Sequence, residues 1–130
     1  MAGARTSIDD LVAAARTRLD RLAPADAAAE LGEGAVLVDI RCERQRARDG
    51  AVPGAVLVAR NVLEWRCDPD SDARDPRPAE LDRHVILMCD GGYQSSLAAA
   101  TLRDVGLCRA TNLVGGFQAW RAAGLPVEPA

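Results

Sequence analysis

Histidine occurs once in this chain, at His84, and its four cysteines, Cys42, Cys67, Cys89 and Cys108, stand far apart with no C-x-x-C pair. Structural metal sites need clustered thiols and imidazoles, so no metal is expected, and no cofactor either. There is no excess of positive charge: 16 basic residues against 19 acidic ones give a formal net charge of -3. Composition therefore lends a nucleic-acid partner no support. No long apolar run is present at the start, where Met1 to Arg21 carries Asp9 and Asp10. That argues against a secretory signal and a membrane span, so a cytoplasmic location without a membrane partner is the expectation. In a reducing cytosol the cysteines should mostly be buried and inert, and a reactive one must be singled out by its surroundings. No internal repeat or low-complexity tail is visible. What is there, 130 residues with 48% hydrophobic and 27% charged, suits one globular domain with a real core.

Two apolar runs, Ala35 to Ile40 and His84 to Met88, are short and rich in Val, Ile and Leu, as expected of central parallel strands buried on both faces. Ser7 ahead of Asp9 and Asp10 opens a helix running through about Leu19. Pro24 opens a second helix, which Gly32 and Gly34 end. Glu43 to Asp49 is helix-compatible and Gly50 stops it before the turn Val52-Pro53-Gly54, after which Ala55 to Ala59 reads as a strand. Cys67 to Pro78, with prolines and many aspartates, is a loop that should be exposed. Ser95 and Ser96 begin an apolar helix that Gly106 ends. Ala110 to Val114 is the last strand, before Gly115-Gly116 and a helix over Phe117 to Ala123. Strands alternating with helices predict an α/β sandwich, with helices on both faces of a mainly parallel sheet and right-handed crossovers.

In such sheets ligands sit beyond the carboxyl ends of the strands, and Val85-Ile86-Leu87-Met88-Cys89 delivers a cysteine to that edge. Asp90-Gly91-Gly92-Tyr93-Gln94 follows, then Ser95 and a helix. A glycine-bearing turn joined to a helix N-terminus can aim several N–H groups at one point. Charge-assisted hydrogen bonds of that kind stabilise a thiolate, or the anionic outer sulfur of a persulfide, without a histidine base. His84 lies at the other end of the same strand, roughly 16 Å away at about 3.3 Å per residue. The bland alternative for Cys89 is a strand-end cysteine packed as a small hydrophobe. Cys42 is followed by charged residues instead of glycines, and Cys108 lies in a helix-to-strand connection. Cys67 is the candidate for a second reactive thiol that would resolve a Cys89 persulfide as a disulfide, should its loop fold over the site.

Four phrases in order then resemble the rhodanese-like family: Val36-Leu37-Val38-Asp39-Ile40-Arg41, Val52-Pro53-Gly54-Ala55, Cys89-Asp90-Gly91-Gly92-Tyr93-Gln94-Ser95-Ser96, and Leu113-Val114-Gly115-Gly116-Phe117-Gln118-Ala119-Trp120. The resemblance runs from Leu22 to Val127. It implies a three-layer sandwich around a five-stranded parallel sheet, with residues 22–130 as the rhodanese-like domain and residues 1–21 as a helical extension packed on it. It also implies a single-domain sulfurtransferase in which Cys89 carries sulfane sulfur as a persulfide. The donor would be thiosulfate or a persulfide, and the acceptor cyanide, a thiol or a sulfur-relay protein; no cofactor is implied, and the oligomeric state is open. The backbone amides of Asp90, Gly91, Gly92, Tyr93, Gln94 and Ser95 would bind the anion. The related cell-cycle phosphatases use a loop one residue longer ending in arginine, where this chain has Ser95.

Two departures stand out. Ala51 occupies a place where the family often has histidine, and Asp90 and Gln94 stand where many members carry a cation. An acid beside a thiolate opposes deprotonation and repels thiosulfate unless it points away or pairs with an arginine, so weak thiosulfate activity is expected. Arg41, Arg60 and Arg66 are the side chains placed to restore positive charge. Asp39 is read as tying down neighbouring amides or an arginine, Gly115 and Gly116 as allowing a turn with close helix packing, and Trp120 as a core anchor. The competing reading is a non-catalytic rhodanese-fold module that binds a partner or senses oxidants through Cys89.

Overall fold

Val85, Ile86, Leu87 and Met88 are each fully buried and form the central strand β3 (Val85–Met88). A strand of unbroken aliphatic side chains cannot face water on either side, so helices must cover both. The computed structural model describes residues 4–130. Around β3 the chain runs through α1 (Ile8–Thr17), α2 (Pro24–Gly32), β1 (Val36–Asp39), α3 (Glu43–Asp49), β2 (Val56–Leu57) and α4 (Leu63–Cys67) before it. After it come α5 (Gln94–Asp104), β4 (Thr111–Asn112) and α6 (Gly116–Ala122). The sheet order is β2-β1-β3-β4 with every pairing parallel, Leu37 opposite Ile86 and Leu87 opposite Asn112.

Side chains alternate along a strand, and that period divides the core in two. Val85, Leu87 and Cys89 share one layer with Val38, Ile40, Leu63, Cys67, Ala98, Ala99 and Leu102, under α4 and α5. Ile86 and Met88 face the other way, onto Ala27, Leu37, Val52, Leu113, Phe117 and Trp120 under α2 and α6. Cys89 therefore leaves the strand already turned toward the α5 layer. On that side α1 lies along α5, with Val12 and Ala15 buried. Ser7 caps α1 by accepting from Asp10 N–H at 3.0 Å, the start expected from Ser7 and its following acids.

The structure corrects three expectations. Among the described residues the sheet has four strands, not five; the remaining edge is a single parallel bridge between Leu22 and Leu113. Leu22 N–H donates to Asn112 O and its carbonyl accepts from Val114 N–H, but Pro24 opens α2 too soon for more rungs. Cys67 is not exposed: it closes α4 and is fully buried. That short helix, and the 3-10 turn Arg60–Val62 leading into it, lie where no element was expected. Beyond Cys67 the loop is a series of turns in which Asp68, Ser71 and Asp75 side chains accept from backbone N–H groups two residues on.

The N-terminal extension expected over residues 1–21 begins on residues 1–3, which lie outside the described residues.

Candidate active site

Cys89 sits at the C-terminal end of β3, with only 7% of its surface exposed. Its Sγ accepts from Gly92 N–H at 3.1 Å and from Ser95 N–H at 3.3 Å, and lies 3.3 Å from Ser95 Oγ. The loop can curl this tightly because Gly92 takes a φ of +88°, and a Cβ there would stand 2.8 Å from Gly115 N. Gly116 is just as constrained, since a Cβ would lie 2.4 Å from Cys89 O. That close approach lets Phe117 N–H donate to Cys89 O and Gln118 N–H to Asp90 O. The start of α6 thus holds the Cys89 and Asp90 carbonyls while the Gly92 and Ser95 amides turn to the sulfur.

Of the six loop amides named from the sequence, Gly92 and Ser95 reach the sulfur. The N–H groups of Asp90, Gly91, Tyr93 and Gln94 engage no acceptor among the described residues. Tyr93 is 65% exposed and lies under the Arg16 guanidinium, 5.2 Å from the ring centre.

Asp90 turns onto Gln118, whose Nε2 donates to it at 2.9 Å, and its carboxylate lies 4.0 Å from the Arg48 guanidinium. Gln118 also donates to Asp49 at 3.1 Å. The Asp49 carboxyl is held at about 2, chiefly by a hydrogen bond from Arg48; partial burial works against this, and Gln118 and Arg121 add to it. Asp90 belongs to this network of Arg48, Asp49, Gln118 and Arg121.

The three arginines named as anion-binding side chains go to different places. Arg41 is buried, pairs with Asp39 at 2.9 Å, donates to Gly50 O at 2.8 Å and lies 3.8 Å from the centre of the Phe117 ring. Arg60 reaches the loop, with Nε 3.4 Å from Gln94 Oε1, and holds both oxygens of Glu64 at 3.0 Å. Arg66 donates to Ala73 O in the following loop. Cys67 shares the core layer of Cys89, and burial pushes its thiol up to about 12, followed by the charges of Asp75 and Glu64. A neutral, enclosed thiol is poor at resolving a persulfide.

What sequence reasoning missed is the polar shell behind the loop. Asn112, fully buried on β4, points Nδ2 at Ser95 Oγ (3.0 Å), Ser96 Oγ (3.0 Å) and Gly92 O (3.3 Å). Arg16 donates to Ser96 Oγ at 3.1 Å and to Gly92 O at 3.0 Å. Arg21 donates to Asn112 Oδ1 at 3.0 Å. A buried asparagine in a two-residue strand was the available signal, since a buried amide demands partners.

A parallel α/β sandwich that ends its central strand on an amide-held thiol defines a class of cysteine-loop proteins. The chain belongs to the rhodanese-like domain family, whose model matches residues 23–123. It is 33% identical over 106 residues to the thiosulfate sulfurtransferase GlpE of Pseudomonas savastanoi pv. phaseolicola, covering 82% of this chain and 91% of that one. Among solved structures it is similar to a Rhodopseudomonas palustris protein of unknown function titled a possible tyrosine phosphatase. That match has a TM-score of 0.88 and 37% identity, and covers 98% of both chains. A thiosulfate sulfurtransferase from Pseudomonas aeruginosa matches with a TM-score of 0.69 and 27% identity, over 86% of this chain and 20% of that one.

Proposed function

We propose that this protein is a sulfurtransferase that works through a Cys89 persulfide. The Cys89 thiolate attacks the outer sulfur of a donor such as thiosulfate; the new S–S bond forms as the donor's S–S bond breaks, and sulfite leaves with the electron pair. A thiophilic acceptor, such as a thiolate, cyanide or a sulfur-relay protein, then takes the outer sulfur and returns Cys89 to the thiolate. The reading rests on one observation: Sγ receives two backbone N–H groups, while four neighbouring loop amides have no acceptor among the described residues. Donors already fixed in place need no reorganisation as negative charge moves from Sγ to the outer sulfur. Asp90 is held off by Gln118 and Arg48, which softens its repulsion of a dianionic donor.

Residues 22–130 are the catalytic domain in this reading, with residues 1–21 an extension, and the reaction belongs in the cytoplasm. No described helix is long and apolar enough to cross a membrane. Of the three arginines, we assign Arg60 to the donor's anionic end, because it contacts the loop side chain of Gln94.

Intact-mass measurement after incubation with thiosulfate tests the proposal. The wild type gains one sulfur, discharged by a thiol, and Cys89→Ser gains none; equal loading of both would overturn it. The likeness to a protein titled a possible tyrosine phosphatase supports a second reading. Against it, phosphate transfer needs a guanidinium clamp, and the loop from Cys89 to Ser96 contains no arginine. Hydrolysis of an aryl phosphate that disappears in Cys89→Ser would favour that reading instead.

A further inference from the structure

Arg21 and Arg16 precede residue 23, where the family match begins, yet both reach the shell around Cys89. The route is set by the edge of the sheet. The single bridge between Leu22 and Leu113 lays Arg21 alongside Asn112, and Thr111 Oγ1 donates to Asp20 O at 2.9 Å beside it. Arg21 Nε then meets Asn112 Oδ1.

The chemistry of the donors gives this contact a direction. A guanidinium only donates, so Asn112 must present its oxygen to Arg21 and its Nδ2 to the loop. Nδ2 also only donates, so Ser95 Oγ is an acceptor at that contact, 3.0 Å away. As a neutral thiol Cys89 donates to Ser95 Oγ, 3.3 Å off; once Cys89 is a thiolate the Ser95 proton is free to turn onto the sulfur. Ser96 obeys the same logic: its Oγ accepts from Arg16 and Asn112 and donates to Gly92 O at 3.0 Å. Arg16 braces that same carbonyl. Burial, and then the charge of Arg16, lower Arg21 from its ordinary range, and a negative charge on Cys89 works in the opposite direction.

We infer that Arg21 is a positioning residue which, through Asn112, directs the Ser95 hydroxyl proton onto Cys89 Sγ, so that the segment before the family domain completes the thiolate site. The inference rests on Cys89 being the sulfur-carrying nucleophile, but not on which donor it uses. It supplies by relay the positive charge that the loop lacks at Asp90 and Gln94. A hydroxyl held as a donor favours the thiolate, and a hydroxyl free to accept from the thiol does not.

The test follows two rates on the full chain: sulfur loading of Cys89 from thiosulfate by intact mass, and carbamidomethylation by iodoacetamide at one neutral pH, read on the Cys89 peptide. Arg21→Ala is expected to slow both about 10-fold with little change in the apparent KM for thiosulfate, and Arg21→Lys, which keeps a cationic donor, to restore both to within about threefold. Asn112→Asp, the same shape with acceptors only, draws the Ser95 proton away and slows both further. Arg18→Gln is the control, because Arg18 pairs with Asp104 on α5 at 2.6 Å and joins no contact of the loop. Wild-type rates in Arg21→Ala would overturn the inference. So would an equal loss in Arg18→Gln, or a loss that Arg21→Lys does not recover, because both point to docking of the segment and not to donor direction. Should the wild type take no sulfur from thiosulfate, the donor reading falls, and the alkylation rates still decide the role of Arg21.

Discussion

The two ends of β3 carry opposite kinds of chemistry. At the N-terminal end His84 lines a hollow of about 260 Å³ with Glu30, Glu33, Glu80, Asp82, Arg83 and Arg109. At the C-terminal end Cys89 is buried, and the contacts to its sulfur are two backbone amides and one hydroxyl. The His84 end is the less suited to an anionic donor, because four carboxylates there face one histidine and two arginines. At the other end the donors that touch the sulfur include two N–H groups fixed by the fold, which no titration can remove. The lesson is that backbone direction at a strand end can make a site where a collection of titratable side chains does not.

The widest difference between the ends is expected from removing the sulfur itself. Cys89→Ser should abolish sulfur loading, a loss of at least about a thousandfold. A substantial residual rate in that variant would remove the Cys89 end from the comparison.

Next in size is Gly92→Ala. Its Cβ cannot fit 2.8 Å from Gly115 N at a φ of +88°, so the loop must open and the amide 3.1 Å from Sγ must move. Losing one anion-stabilising donor costs about a hundredfold in rate. Stopped-flow measurement of sulfite release, with circular dichroism to confirm folding, checks this. A folded Gly92→Ala of undiminished rate would mean that loop side chains, not amides, hold the anion.

The contrast between backbone and side chain also explains what could be read in advance. The alternation of buried strands with helices, and the delivery of Cys89 to the carboxyl end of a buried strand, are local patterns of one chain segment. So are the glycines that allow the loop. The fifth strand was expected from family resemblance and fails because Pro24 starts α2 just after Leu22. The Arg21 to Asn112 contact joins residues 91 apart, through one bridge whose register no short window encodes. Cys67 misled because its proline- and aspartate-rich surroundings look exposed, whereas the turn of helix before it swings the thiol into the core. Arg41 stands at a strand end like a ligand-binding residue, but Asp39, two residues earlier, holds it.

A smaller effect sharpens the comparison from the side of pH. Asp49 anchors Gln118 and Arg121 beside Asp90, and its carboxyl is depressed to about 2 from an ordinary 3.8, first by Arg48. A carboxyl lowered on folding contributes stability that is present above its unfolded value and is lost as pH falls through its folded value. Thermal melts should therefore show a component of acid destabilisation between about pH 4 and about pH 2 that is missing in Asp49→Asn. If the two proteins lose stability in parallel over that window, the Asp49 cluster does not support the Cys89 end.

The smallest effect is expected at the other end of the strand. His84 Nδ1 lies 3.4 Å from Glu30 Oε2 but makes no hydrogen bond, and Glu30 is open enough to keep its water. Replacing His84 with glutamine orphans no partner, so stability should change by less than about 1 kcal/mol. Sulfur loading should stay within about twofold of the wild type, because β3 holds the imidazole roughly 16 Å from the sulfur at about 3.3 Å per residue. A general base must come within hydrogen-bond reach, directly or through one water, and His84 cannot do so without unpairing β3 from β1 and β4. A tenfold loss in His84→Gln with an unchanged melting temperature would therefore indicate that the hollow takes part in turnover, and would erase the functional distinction between the two ends of the strand.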